Sequence, residues 1–324
     1  MNPFKRLVAP RLPSAALGLS TEGASVVSLD RRRDVYAVRR AGYVPLPEGT
    51  LRPGFDDTNV ANPQELAETL AELIASAGMS KHRRWSVALP EAATRTSILT
   101  LESATSSRGE TEEMLRWKTE RVLAAPLDEL RISRERLSVD SQGRARYLVT
   151  AIRLSVLDEY ESVFESLGWH TGLILPRHMG EAWWLTQGPG GLAGVDSLLV
   201  STHLEGFTAV VLRGSQPLLV RGVICDVEDR SDELYRFLLY YRDRNAPAPD
   251  EAATVATPPL ETIERLLVAG SGLDYAQASA IVGETLSVSP RPLRAEDVRL
   301  SFPSNEIDFN LIAAPAGLAA LAWA

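Results

Sequence analysis

One cysteine in 324 residues, Cys225, leaves no partner for an internal disulfide, and such a chain suits a reducing compartment. Cys225 lies in the apolar run "LLVRGVICDV" and reads as a buried structural thiol, because no motif around it supplies the electropositive setting and nearby histidine of a catalytic one. Positive charge is also scarce: 34 Lys and Arg against 42 Asp and Glu give a net charge of -8. That balance argues against a broad nucleic-acid footprint, which needs clustered cations. The short basic runs Arg31-Arg32-Arg33 and Arg39-Arg40 read as the flanks of a solvated turn, with a patch facing a partner or anionic lipid headgroups as the other reading. No stretch reaches the roughly 18 uninterrupted apolar residues of a membrane span, and the amino terminus has no apolar core of signal-peptide length. A cytosolic protein is expected. The apolar tail "NLIAAPAGLAALAWA", interrupted by Pro315 and Gly317, reads as a buried terminal helix. Walker A, G-x-S-x-G, HExxH and CxxC motifs are all missing. The histidines His82, His170, His178 and His203 are scattered, and His203 reads as a solvated loop residue because no second histidine stands at metal-ligand spacing.

What is present is a repeated plan. The length suggests two lobes of roughly 150 residues each. "AALGLSTEGASVVSLDRRRDVYAVRRAGYVPLP" reads as three antiparallel strands with turns at Glu22-Gly23 and at 31–34. A helix is predicted next, with Asn62 as N-cap, Pro63 at its first position, Leu66, Leu70, Leu73 and Ile74 on one face, and Gly78 ending it. "RWSVALPE" reads as a buried strand cut off by Pro90. From about Thr94 to Gly172 the pattern becomes strand, helix "TEEMLRWKTERVLAA", strand, strand, helix "VLDEYESVFESLG", a compact α+β block placed like an insertion. A helix carrying Trp183 and Trp184 and the linker "TQGPGGLAGVD" follow. Then "DSLLVSTHLEGFTAVVLRGSQPLLVRGV" repeats the opening: strand, turn with Glu-Gly, strand, turn, strand. A helix "SDELYRFLLYYRDR", a Pro/Ala-rich excursion from Ala246 to Leu260, strand "RLLVAGSG", a helix from about Leu273 to Val282 and the terminal helix complete the chain. The predicted division is a first lobe of 14–91 and 172–192, an inserted subdomain of 92–171, and a second lobe of 195–324 with a small subdomain near 228–262.

Duplicated three-stranded units with a late strand ending in "AGSG" before a helix resemble the actin-like ATPase superfamily. Within it, the inserted block, the passage "VALPEAATRTSILTL" and the closing "PAGLAALA" resemble the PilM family of type IV pilus assembly. The resemblance implies an α/β, two-lobed actin-like fold, a duplicated RNase H-like plan, with an α+β subdomain inserted in the first lobe. It also implies a nucleotide cleft between the lobes, whose vestige would be Ser20, Gly23, Ser201, Gly206, Gly270 and Gly272. In active relatives an aspartate ends the first strand of each unit and helps to hold hydrated Mg²⁺. Ser20 and Ser201 are expected at those positions, without the charge. Glu22 and Glu205 would moreover face a polyanion, at a cost on the order of one to several kcal/mol. Glu-Gly in a turn is also ordinary turn chemistry, and "AGSG" alone is weak evidence for a nucleotide site.

The expectation is therefore a non-catalytic scaffold with no cofactor and no metal. It would bind the cytosolic amino-terminal peptide of a PilN-like bitopic membrane protein in a groove between the first-lobe core and the inserted block. Trp117 and Arg121 are candidate contacts, although Trp117, Trp183 and Trp184 also suit core or interface packing. Two other readings stand beside this one. One is an active ATPase or small-molecule kinase using Glu22, Asp196 or Glu205 as displaced metal and base residues; the other is a GspL-like cytosolic domain of type II secretion.

Overall fold

The computed structural model describes residues 12–102, 107–140, 142–187, 196–245, 263–302 and 307–324. The Pro/Ala-rich excursion and most of the linker lie outside them. β1 (Ala15–Leu19), β2 (Gly23–Arg32), β3 (Val35–Pro45), β4 (Arg84–Leu89) and β8 (His170–Pro176) form the first-lobe sheet in the order β3-β2-β1-β4-β8. β9 (Asp196–His203), β10 (Gly206–Arg213), β11 (Gln216–Ile224), β12 (Ile263–Ala269) and β13 (Arg291–Pro292) repeat that order as β11-β10-β9-β12-β13. In both sheets the first strand pairs antiparallel with the second and parallel with the fourth. Both first strands are therefore central, with neighbours on each side, and both are buried along nearly their whole length. The repeat legible in the sequence is a repeat of topology.

Each sheet buries its outer face under helices. α1 (Pro63–Ser76) begins where Asn62 accepts a hydrogen bond from the Glu65 N–H, and it presents Leu66, Leu70, Leu73 and Ile74 to the first sheet. α3 (Leu154–Ser166) packs into the same cluster through Val156, Tyr160, Val163 and Phe164. The apolar face of α3 thus meets α1 and the first sheet, whereas the predicted insertion ran to 171; β8 lies almost wholly in the predicted 172–192 part of the first lobe. The inserted part ends near Arg153. It holds the sheet β5-β7-β6, made of β5 (Arg95–Thr100), β6 (Leu130–Leu137) and β7 (Arg146–Arg153), covered by α2 (Arg108–Leu123). In the second lobe α5 (Arg230–Asn245) and α6 (Tyr275–Leu286) cover the outer face, so the described part of the predicted 228–262 subdomain is a core helix of that lobe.

The inner faces share one core. α4 (Arg177–Leu185) and α7 (Phe309–Ala320) cross between the sheets and bring Val27 and Ala88 from one lobe and Leu199 and Val210 from the other into a single cluster. The crossing depends on two glycines. A Cβ on Gly180 would stand 2.1 Å from the Ala314 carbonyl oxygen, and one on Gly317 would stand 1.8 Å from that of Gly180. Pro315, inside α7, rests over Gly18 of β1. The terminal helix is buried as predicted, but it packs on β1, β2 and β4 of the first lobe, and the short strand β14 (Leu300–Ser301) pairs with β3. The last stretch of the chain thus returns to the first lobe, which the predicted 195–324 unit did not anticipate. Among the described residues no helix is long and apolar enough to cross a membrane.

Candidate functional site

Both hairpins aim their first turns at the gap between the lobes. At the first, Ser20 turns its hydroxyl back on its own hairpin: Oγ donates to the Gly23 carbonyl at 3.0 Å and accepts from the Gly23 N–H at 3.1 Å. At the second, His203 faces Gly206 across the ladder, as Ser20 faces Gly23. Counted from the turn glycine, the register partner of Ser20 is therefore His203 and not Ser201, because Ser20 precedes Gly23 by three positions and Ser201 precedes Gly206 by five. Ser201 lies two positions deeper, buried opposite Thr208. The two serines do not form a symmetric pair.

The four predicted glycines are indeed positions where a side chain cannot fit, but the space is taken by the protein itself. A Cβ on Gly23 would meet the Tyr43 ring at 2.4–2.6 Å, and one on Gly206 would stand 2.0 Å from the Val223 carbonyl oxygen. Gly270, at φ +90°, lies against Thr202, and Gly272, at φ +79°, lies against the Arg230 guanidinium. Arg230 is buried and donates to the backbone carbonyls of His203, Leu204 and Ser271. It ties the second hairpin to the glycine turn, an arrangement that exploits the five fixed donors of arginine. Across the gap, Ser271 Oγ donates to Glu22. Between the hairpins, beside an opening of about 540 Å³ lined by Thr21, Arg52, Leu204 and Glu205, lies a cavity of about 30 Å³ lined by Ser20, Glu22, Arg177, Thr202, Glu205 and Gly270. A cavity of that size holds roughly one or two waters, whereas small-molecule sites run to roughly 300–1,000 Å³.

Sequence reasoning missed the polar group beneath the gap. Glu91, in the turn after β4, is buried and accepts from the backbone N–H and from Nδ1 of His178, and from Thr208 Oγ1 at 3.2 Å. Burial alone would push the Glu91 carboxyl up; the His178 imidazole and its hydrogen bonds outweigh burial and hold it below its ordinary range. One turn along α4, Glu181 pairs with Arg177 at 3.2 Å. Burial dominates there and raises the Glu181 carboxyl, Arg177 opposing it. His203 is partly buried and not a solvated loop residue; its Nδ1 lies 3.2 Å from Glu205, and that hydrogen bond lowers the Glu205 carboxyl. Asp196, considered above as a displaced catalytic acid, is buried at the far end of β9, held by Arg213 at 2.9 and 3.0 Å and by the Tyr241 hydroxyl. Cys225 is half-buried, with burial pushing its thiol up. The only sequence cue to Glu91 is a lone acid directly after an apolar strand, in "VALPEAA".

A further opening adjoins the gap. A groove of about 500 Å³ runs between β5, the outer strand of the inserted sheet, and β11, the outer strand of the second-lobe sheet. Phe55, Thr96, Val122, Val223 and Ile224 line it, with Glu91 and His178 at its inner wall. Each flanking strand has a ladder partner on one side only among the described residues. Arg146 closes one end by donating to the Pro217 and Leu218 carbonyls at 3.0 and 2.9 Å. Ile224, at the other end, is 90 % exposed. Of the predicted contacts, Trp117 is 55 % exposed with the Arg121 guanidinium 5.3 Å from its ring centre, and both lie on α2 outside the groove lining. Trp184, by contrast, is fully buried and donates to the Ala313 carbonyl at 2.9 Å.

The doubled sheet order, the paired crossing helices and the interlobe gap define an actin-like two-lobed protein, and its fold is PilM-like. The chain superposes on a chain of a PilM–PilN type IV pilus biogenesis complex with TM-score 0.72 and 19% identity, covering 97% of this chain and 99% of that one. Weaker similarity extends to a Bacteroides thetaiotaomicron protein of actin-like ATPase fold (TM-score 0.46, 11% identity, 97% and 98% covered). It extends as well to the cytoplasmic domain of EpsL, an inner-membrane component of the Vibrio cholerae type II secretion system (TM-score 0.45, 12% identity, 95% and 93% covered). No family model matches the sequence, and no curated protein matches it.

Proposed function

We propose that this chain is a non-catalytic scaffold of a type IV pilus or related inner-membrane assembly platform, and that it captures an extended cytosolic segment of a PilN-like membrane protein in the groove between β5 and β11. The groove itself carries the reading. The outer edges of β5 and β11, each with a ladder partner on one side only among the described residues, suit an added strand, which gains affinity from backbone pairing and specificity from pockets for alternate side chains. Phe55, Val122 and Ile224 supply the apolar contacts. Such capture would hold the protein at the membrane without a span of its own. Nucleotide chemistry is disfavoured because the acids an enzyme would need are engaged: Glu22 by Ser271, Asp196 by Arg213 and Tyr241, Glu205 by His203.

The test is calorimetric titration with the cytosolic amino-terminal peptide of a PilN-like protein, run against Ile224→Asp and Thr96→Pro. Both substitutions are expected to weaken binding at least tenfold, the second by removing an edge donor. A parallel thermal-shift titration with ATP and Mg²⁺ is expected to give no shift. Unimpaired peptide binding by both variants, or a micromolar ATP response, would refute the proposal.

A further inference from the structure

Away from the cleft, at the opposite end of β2 and β3, the chain gathers positive charge that its overall balance opposes. Arg31, Arg32, Arg33 and Arg299 gather at the β2–β3 turn with Arg39 and Arg40 further back on β3, against Asp30 and Asp34 and, just before Arg299, Glu296 and Asp297. Arg299 arrives from the far end of the chain because β14 pairs with β3. Arg39 pairs with Asp30 at 2.6 Å and Arg299 with Asp34 at 3.3 Å, so the two acids are already neutralised. Arg32, 72 % exposed along its side chain, reaches Asp30 only at 3.8 Å.

The turn is also built in an unusual way. Arg33 sits at φ +56° between the paired residues Arg32 and Val35, a conformation in which glycine or asparagine is the unstrained residue. Arg31 supports it by donating to the Arg33 carbonyl at 3.2 Å and to the Trp323 carbonyl at 2.9 Å. Val35, exposed beside them, adds an apolar side chain at the tip. Strain retained at an exposed turn, where a smaller residue would fit better, points to a use for the side chain.

We propose that this arginine tip binds the surface of an anionic bilayer. Basic residues near such a surface each contribute roughly 1 kcal/mol, while the rest of this acidic protein is repelled, so binding would be oriented as well as weak. The proposal is independent of the peptide groove, which lies at the other end of the strands.

The test uses the full chain and sedimentation with lipid vesicles. Binding is expected to vesicles with about 30% phosphatidylglycerol, not to pure phosphatidylcholine, and to be lost near 0.5 M salt, where the screening length falls to a few ångströms. Arg32→Glu with Arg33→Glu and Arg40→Glu is expected to lower the partition coefficient by about tenfold or more. Arg33→Gly separates binding from folding: binding should fall while the melting temperature stays the same or rises. Equal binding to neutral vesicles, no binding to anionic ones, wild-type binding by the triple variant, or tighter binding to a single-stranded RNA than to the vesicles would each overturn the proposal.

Discussion

Gly270→Ala tests whether the glycines of the cleft leave room for a ligand or for the protein. At φ +90° an added Cβ costs about 1 kcal/mol in backbone strain alone. It would also stand 2.2 Å from the Thr202 carbonyl oxygen and 2.4 Å from Thr202 Oγ1. Relief requires the end of β12 to move off β9, which breaks the Ala269–Ser201 pairing, the Thr202 Oγ1 to Ala269 bond at 2.9 Å and the Arg230 contacts. Losing two or three such bonds adds about 2–4 kcal/mol. Gly168→Ala supplies the control: its φ is +69° and nothing lies within 4 Å of the added carbon, so it bears the backbone cost without the clash. In urea unfolding followed by far-UV circular dichroism, Gly270→Ala should lower the midpoint by about 1 M more than Gly168→Ala, taking a slope of about 3 kcal/mol/M. Equal shifts for the two variants would mean that Thr202 does not need the space, and the argument for a self-filled cleft would fail.

Asp196→Ala removes the carboxylate that accepts from Arg213 and from the buried Tyr241 hydroxyl, so a stability loss of about 1–3 kcal/mol is expected; a normal denaturation midpoint would return Asp196 to the list of spare acids. The buried acids predict opposite pH limbs. Glu91 has a depressed folded pKa, so its stabilisation is present above the ordinary glutamate range near 4.3 and is lost as pH falls below it. Glu181 has a raised folded pKa, so its contribution is full below that range and is lost as pH rises through the folded value. Glu91→Gln should flatten the acid limb of a midpoint-versus-pH curve and Glu181→Gln the neutral limb; unchanged limbs in both variants would contradict the assignment.

Local rules made much of the framework readable. Pro63 after an Asn cap, the 3–4 spacing of Leu66, Leu70 and Leu73, and the recurrence of strand, Glu-Gly turn and strand are short-range signals, and each marks the element found there. The site was less legible because its meaning depends on what fills space. The absence of a side chain at Gly270 is visible in the sequence, but its occupant, Thr202, comes from a strand 68 residues earlier. The same holds for Glu91 and His178, which are 87 positions apart and meet because the parallel strands β4 and β8 end side by side and α4 begins there. Composition and periodicity thus determined two lobes of one plan, a lone thiol and an acidic balance, since these follow from neighbours along the chain. Tertiary structure alone decided that the register partner of Ser20 is His203, that α3 and the terminal helix pack on the first-lobe sheet, and that Arg230 ties the second hairpin to the glycine turn. The physical reason is that close packing and desolvation act between groups brought together by the fold, and sequence spacing carries no measure of that distance.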